Sequence, residues 1–577
     1  MRFPSIDILA ARAVAVLQRF PWTLAAGAVT AVAAILASRH QTDASVLRVG
    51  FVAGLALPLT IALTLTSEVR RWTPVVRTGS LLAGVAVLVL FYLDWQGLNE
   101  RGDGVRYLQF SAALHLAVAF LPFVAIHQRV AFWQYNRRLF LGFLKSAIFS
   151  AVIFVGVAIA LGALDKLFGV HIDGDLYLDI WFVTCFVVNS WIFLSTIPDN
   201  LESLADDHEY PKALKVFAQY ILTPLAFVYL LILLAYLVKI VAGAEWPNGW
   251  IGWLVASVSV TGILGYLLVE PLRSSEHEGW IRIYARWFFL GLIPAALMLL
   301  AAFWKRIEPY GLTEPRTLGM LLGIWLLGTA ILFSLRPGSS IKLIPMTLSF
   351  LLLVTLFGPV SVTRLSIQSQ GRRFVAMLAD TDSVRGQAEA SAALRFLIDR
   401  RAEGEIADRI GKPFPSVDWT RINRDGPERD TLGMKLMALA GAAYVEQGRS
   451  RINRNEFNFS YDDGQATAVE GFRWLATVNA YDTTRHVVGP DTVQALRASN
   501  GIVNVAVGHD TLHFDLHPLF AIYRDSLIIG RGVPASALRI LADSGRRAGA
   551  LLLRSVDGKR AADSLILSHW DGRLLFR

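Results

Sequence analysis

The stretch Thr196–Ile240, TIPDNLESLADDHEYPKALKVFAQYILTPLAFVYLLILLAYLVKI, decides the fold class of this chain. An apolar run ends at Pro198, and a short loop follows with Asp199, Glu202, Asp206, Asp207 and Glu209. Tyr210, Pro211 and Lys212 then open a second run, which stays apolar as far as Ile240. A bilayer core is roughly 30 Å thick and takes about 20 helical residues to cross. Each run is therefore long enough to span, and the loop between them is polar enough to sit at a membrane surface.

Outward from this point the same alternation repeats. Eleven spans are expected, at about 21–37, 49–66, 79–95, 107–126, 141–164, 176–197, 216–242, 250–269, 287–304, 317–335 and 341–363. Backbone amides in hydrocarbon must be satisfied within the segment, so runs of this length read as helices. The totals agree: the 577 residues are 54% hydrophobic and 18% charged, with mean hydropathy +0.47. The charge is unevenly spread. Residues 364–577 hold 29 of the 55 Lys and Arg and 25 of the 46 Asp and Glu, the density of a soluble domain. The expected organisation is an amphipathic interfacial segment at 1–20, a transmembrane helical domain at 21–363 and a soluble α+β domain at 364–577. The net charge of +9 is shared between the two halves and follows from basic loops, so nucleic acid is not implied as a partner. Cys185, the single cysteine, lies in an apolar run and excludes any disulfide within the chain.

Orientation follows from where Lys and Arg collect. The N-terminal tail and the loops after the even-numbered spans carry 16 of them; the alternate loops carry 8. The N-terminus is thus expected in the cytoplasm, and an odd number of spans puts the C-terminal domain outside.

Polar residues within or beside spans are costly and therefore candidates for function. In the seventh span Lys212, Lys215, Gln219 and Thr223 recur at helical spacing, and Pro224 interrupts the helix after them. The loop after the fourth span carries Arg137, Arg138 and Lys145 beside Trp133 and Tyr135, suited to anchoring at anionic lipid or to binding an anionic head group. It shares a predicted side with Asp206 and Asp207, so the two loops can pair and latch adjacent helices. The loop Trp304–Gly319 has Thr313 as the expected N-cap and Glu314 in the first turn, where the helix dipole favours an acid. That leaves Tyr310, Glu308 and Arg316 for a ligand or partner. His115 and Asn189, deeper in their spans, read as hydrogen-bonding groups between helices. Gly50–Gly54 and Gly319–Gly323 have the spacing that lets helices approach closely.

Several segments, taken together, resemble one bacterial family: FWQYNRRLFLGFLK (132–145), LDKLFGVHIDGDLYLDIW (164–181), 210–240, WPNGW (246–250), WIRIYARWF (280–288) and RIEPYGLTEPR (306–316). It is the family of polytopic membrane proteins catalogued as domain-of-unknown-function family 4153. The resemblance implies a cytoplasmic-membrane helix bundle with a C-terminal extramembrane region. It implies no activity and no catalytic residue.

In the C-terminal half, Ser366–Ala379, Gly386–Arg401 and Thr431–Glu446 read as helices. From Asn500 the apolar period changes to two. Val503–Val507 and Thr511–Leu516 form a hairpin about a Gly-containing turn, and Leu551–Val556 and Ser564–Ser568 are further strands, with turns expected at Asp557-Gly558 and Asp571-Gly572. His509, His513 and His517 resemble a metal cluster in one dimension only. On a strand rising about 3.3 Å per residue, His513 and His517 lie some 13 Å apart, too far to share an ion bound at roughly 2 Å. No metal and no cofactor is expected. The chain lacks GxxxxGK[ST], GxSxG, CxxC and HExxH, so nucleotide hydrolysis, serine chemistry and zinc proteolysis have no support.

The reading is a bacterial inner-membrane protein of the cell envelope, mainly α, with about eleven spans and a C-terminal α+β domain ending in β-hairpins. Its expected role is lipid or solute transport, or envelope assembly, and it is not read as an enzyme. Expected partners are membrane lipid, an anionic or lipid-linked ligand, and an extracytoplasmic protein or polymer. The alternatives are an enzyme acting on a lipid-linked sugar or phospholipid through Asp206, Asp207, Glu209, Arg137 and Arg138, with a divalent ion as an optional partner, and a non-catalytic scaffold or sensor.

Overall fold

A computed structural model describes residues 6–39, 44–95, 97, 102–126, 128–207, 209–243, 251–274, 279–379, 384–419, 422, 427–445, 456–460, 471–480, 484–496, 498–522, 538–544, 546–561 and 564–577. Segment 246–250 and residue Glu446 lie outside these. The chain forms two units: Met1–Arg373 with Phe396–Arg409, and Phe374–Arg395 with Ile410–Arg577.

The first unit is helical. Its elements are α1 (Ile6–Arg19), α2 (Pro21–Arg39), α3 (Ala44–Val69), α4 (Pro74–Asp94), α5 (Asp103–Phe120), α6 (Arg129–Phe168), α7 (Gly174–Val183), α8 (Asn189–Ser195), α9 (Lys212–Val216), α10 (Thr223–Gly243), α11 (Ile251–Val269), α12 (Gly279–Tyr310), α13 (Glu314–Leu335) and α14 (Leu343–Val354). α15 (Val362–Leu378), α16 (Val384–Asp399) and α17 (Glu403–Ile410) follow. Wide π-helical turns at Thr184–Val188 and Phe217–Leu222 join α7 to α8 and α9 to α10 into one span each. The second has a local cause. Pro224 offers no N–H and its ring crowds the carbonyl four residues back, so the turn before it opens. The Thr223 hydroxyl uses the space and donates to the Ala218 carbonyl at 2.7 Å.

Ten helices among the described residues are long and apolar enough to cross a membrane. Both glycine pairs lie at helix crossings. A Cβ on Gly50 would sit 2.8 Å from that of Ala33 on α2, and Cβ atoms on Gly319 and Gly323 would come within 2.0 Å of Phe303 and 2.7 Å of Leu300 on α12.

The eleventh expected span differs in form. Gly358, at φ +76°, and Pro359 stop the helix, so α14 has 12 residues, about 18 Å at 1.5 Å per residue. It nevertheless runs antiparallel along α5 from one end to the other. Lys342 Nζ, just before α14, donates to the carbonyls of Phe123, Val124 and Ile126 at 2.9, 3.2 and 3.3 Å. Ser349 donates to the Ala113 carbonyl at 2.9 Å, and Gln109 Nε2 donates to the Leu352 carbonyl at 2.8 Å. Leu356 is then buried with Trp95, Phe91 and Phe110. α15 starts anew after this break, and Gln370 donates to the carbonyls of Tyr310 and Leu312 at 2.9 and 2.8 Å.

Among the described residues the second unit contains, besides the end of α15 and most of α16, α18 (Pro427–Leu439), α19 (His517–Ile522) and nine strands: β1 (Glu456–Ser460), β2 (Trp474–Asn479), β3 (His486–Val488), β4 (Asp491–Ala495), β5 (Ile502–Val507), β6 (Asp510–Asp515), β7 (Arg539–Asp543), β8 (Ala548–Ala561) and β9 (Ser564–Phe576). One antiparallel sheet has order β1-β8-β9-β2 with β7 also on β8; the other is β3-β4-β5-β6. Inward residues from both sheets, among them Val503, Val505, Phe514, Leu551, Trp570 and Leu574, form one core. The β5–β6 hairpin turns at Gly508, φ +62°, with Val507 opposite Asp510. The expected turns at Asp557-Gly558 and Asp571-Gly572 are instead interior to two long strands. The register shifts by a bulge at Asp557/Gly558, and a Cβ on Gly572 would lie 2.7 Å from the Leu552 carbonyl, so these glycines serve a bulge and a close backbone approach.

Candidate functional site

α6 has 40 residues, about 60 Å, twice the thickness of a bilayer core, so part of it must extend beyond the hydrocarbon. Its first turns carry Trp133 and Arg137, and Gln134 and Arg138, each pair four residues apart on one face. The acidic loop meets these turns. Asn200 Oδ1 accepts from the amides of Glu202 and Ser203 at 2.9 and 3.4 Å and starts the short turn Glu202–Ala205. Asp207 Oδ1 accepts from the Glu209 amide at 3.0 Å, which folds the end of the loop back.

Asp207 Oδ2 then receives two guanidiniums, Arg138 at 3.0 Å and Arg137 at 3.3 Å. Arg137 also donates to the Glu209 carbonyl at 2.8 Å, and Gln134 Nε2 donates to the carbonyls of Asp207 and Glu209 at 2.6 and 3.1 Å. The expected latch between the basic helix and the acidic loop is present. Burial alone would raise the Asp207 carboxyl; the Glu209 amide, Arg138 and Arg137 outweigh it and hold the group below the usual aspartate range. With both oxygens occupied and the charge held, Asp207 is poorly placed as a general acid or base. The beginning of the loop is tied down separately. Arg19 grips Glu68 at 2.8 and 3.0 Å and donates to the carbonyls of Pro198 and Ile197 at 2.8 and 3.1 Å.

Beside the latch lies an open cleft of about 750 Å³, lined among others by Arg129, Trp133, Asp207, Tyr210, Glu270 and Arg282. Tyr210 stacks on Trp133 with ring centroids 5.1 Å apart. Its hydroxyl donates to the Leu268 carbonyl at 2.9 Å, and burial, partly opposed by Arg137, raises it to about 12. The next residue after Arg282 on α12, Ile283, lines a second hollow of about 780 Å³ with Trp280, Trp287, Pro224, Phe227 and Leu231. This groove between α10 and α12 is almost wholly apolar, and Gly291 at its side lets Leu230 approach to where a Cβ would be 2.8 Å away.

Known proteins match the chain at the level of family. The family described as "Domain of unknown function (DUF4153)" matches residues 24–390. The chain belongs to this family. An uncharacterized protein of Pasteurella multocida (strain Pm70), PM1469, is 22% identical over 370 residues, which is 62% of this chain and 59% of that protein. The chain thus spans under two thirds of the length of that curated relative. No solved structure matches it.

The remaining candidates of this DUF4153 protein fall elsewhere. Asp206 is exposed beside the latch, and Lys145 is exposed two turns further along α6. Lys212, Lys215, Gln219 and Thr223 run from the surface inward: Lys212 is exposed, Lys215 half-buried, and Gln219 and Thr223 buried, with the wide turn Phe217–Leu222 falling within their length. His115, expected to bond another helix, faces the Ser111 carbonyl of its own at 2.8 Å.

Tyr310, Glu314 and Arg316 lie together at the other end of the unit. Arg316 is not left for a partner as expected: it donates to the carbonyls of Tyr310 and Gly311 at 3.1 and 2.8 Å and lies 5.6 Å from the Tyr310 ring. The positive φ of Gly311, +67°, turns the chain so that these carbonyls converge. Thr313 stands at the N-cap without a capping hydrogen bond from its hydroxyl. Sequence reasoning missed Gln134, Arg129, Arg282 and Arg19. Gln134 and Arg282 fall within family-like segments, which was the available signal.

Proposed function

We propose that this DUF4153 protein is a lipid-binding protein of the bacterial inner membrane. In this reading it holds the polar head of an anionic or lipid-linked amphiphile in the cleft and an acyl chain in the groove beside it. The observation that carries it is adjacency: Arg282 lines the charged cleft, while its neighbour Ile283 lines the apolar groove. A polar pocket and an apolar track lined by consecutive residues of one helix match the two-part chemistry of a lipid. The role that follows is lipid handling in transport or envelope assembly, with the two-sheet C-terminal region outside the cytoplasm as the part that meets a protein or polymer.

The excess of Lys and Arg on the N-terminal side supports a cytoplasmic N-terminus and latch. The end-to-end course of α14 along α5 supports an extracytoplasmic C-terminal region.

The test is mass spectrometry of lipid retained by gently extracted protein. Leu231→Trp fills the groove and is expected to reduce retained lipid about tenfold, a change of about 1.4 kcal/mol in binding. Val238→Trp, on an exposed part of the same helix outside the groove, is expected to leave it unchanged. Wild-type protein that retains no lipid, or equal retention by both variants, overturns the reading.

A further inference from the structure

The latch at Asp207 has the geometry of an anion site filled by an undersized occupant. A charge-assisted N–H···O bond is normally about 2.7–2.9 Å long. Here one carboxylate oxygen serves two guanidiniums at 3.0 and 3.3 Å, because the other oxygen is turned to the Glu209 amide. Arg137 is 8% exposed; it also holds the Glu209 carbonyl, and its buried Nε has no acceptor among the described residues. Two cations thus share one carboxylate oxygen, with one buried Arg137 donor left over.

A phosphate group carries several non-bridging oxygens on one centre. It can give Arg137 and Arg138 an oxygen each, and Arg is suited to such forked recognition. A route exists, since Asp207 itself lines the open cleft. The loop backbone is held at both ends, by Arg19 on Pro198 and Ile197 and by Gln134 and Arg137 on the carbonyls of Asp207 and Glu209. The Asp207 side chain, half-buried at the edge of the cleft, can swing off the two arginines while that backbone stays in place.

We propose that Arg137 and Arg138 form a binding site for the phosphate of a lipid head group, and that Asp207 is a resident stand-in which the phosphate displaces. This deepens the lipid-binding reading above and rests on it. The Asp207 side chain is then the switch: on the arginines without phosphate, turned off them with phosphate there.

The test uses the full chain in detergent micelles, with binding of short-chain phosphatidic acid read by native mass spectrometry. Asp207→Asn is expected to bind it about tenfold more tightly than wild type. Adding Arg137→Gln to that variant removes the gain. Asp206→Asn deletes the same charge from the same loop without emptying the site, and is expected to match wild type. Competition by inorganic phosphate identifies the phosphate group alone as sufficient; competition only by lipid phosphate identifies the head group at the membrane. Both outcomes uphold the site.

A second arm does not depend on the stability of Asp207→Asn. Arg138→Gln in the otherwise wild-type chain is expected to lower phosphatidic acid binding about tenfold. Lys145→Gln, which removes an exposed charge two turns further along α6, is expected to leave it unchanged.

Asp207→Asn binding no more tightly, Asp206→Asn binding equally tightly, or Arg138→Gln binding like wild type overturns the proposal. If wild type retains lipid and these results occur, only the stand-in role falls. If neither wild type nor any variant retains lipid, the lipid-binding reading falls with it.

Discussion

Arg400 closes a two-pronged ion pair on Glu314, Nε to Oε1 at 2.8 Å and Nη2 to Oε2 at 2.9 Å, with the Glu314 side chain 1% exposed. The dipole of α13 accounts for an acid at its first turn, but a carboxylate so buried needs a full counter-charge as well. Arg400 supplies it from 86 residues further along the chain. Its own charge is spread over the Phe396 ring, 3.7 Å away.

Breaking one side of this pair leaves a buried charge without compensation. Glu314→Ala or Arg400→Ala is expected to destabilise the first unit by about 3 kcal/mol, the usual scale for a split buried pair. The double variant is expected to lose less than the sum of the two, since each single change already strands the other group. Thermal unfolding of the four proteins in one detergent measures this; strict additivity would show that the pair is not coupled.

The latch has a defined pH dependence. The Asp207 carboxyl is held below its ordinary range, so its contribution is fully present above the unfolded-state value, about 3.9. It is lost as pH falls through the lower folded-state value. Asp207→Asn is expected to lower stability by about 1–2 kcal/mol near neutrality, discounted because Arg138 is 39% exposed. The difference from wild type should be flat from pH 7 to about 4 and vanish below that. Paired melting curves across this range decide it, and a difference that grows on acidification would refute the assignment.

Side-specific reporters test the course of α14. Fusions after Ser339 and after Ala379 flank this helix and are expected to report opposite sides of the membrane, the first cytoplasmic. Identical reports from both would mean that the 12-residue helix turns back.

How far the sequence could be read is clear from single residues. Ten spans were legible because few structures besides a membrane helix keep hydropathy so high over 18 residues or more. The Asp207 latch was legible as well, because both of its loops fell on one predicted side. Glu314 and Arg400 were not: no local pattern joins a helix start to a residue 86 positions away. The wide turn at Phe217–Leu222 was hidden for a different reason. Pro224 announced a distortion, but whether a helix answers with a kink or a wide turn is set by its packing. Gly558 and Gly572 misled, because Asp-Gly pairs have the same composition in a hairpin turn as in a bulged or closely packed strand.

The same ambiguity of glycine gives a last prediction, on α13. Gly319 and Gly328 are nine residues apart in one span, yet only the first is pressed against another helix. A Cβ at Gly319 would meet the Phe303 ring at 2.0 Å, whereas at Gly328 it would meet nothing within 4 Å. Phe303 is half-buried and meets Gly319 with the far end of its ring, so the ring has to swing out of the helix contact to admit a Cβ. Gly319→Ala is therefore expected to destabilise the unit by about 1–3 kcal/mol through overpacking. Gly328→Ala is expected to be neutral or to stabilise by up to about 1 kcal/mol, the helix preference of alanine over glycine. Melting temperatures of the two variants in one detergent measure the contrast. If Gly319→Ala melts as high as Gly328→Ala, the two helices do not cross as closely as the Gly319–Phe303 contact requires.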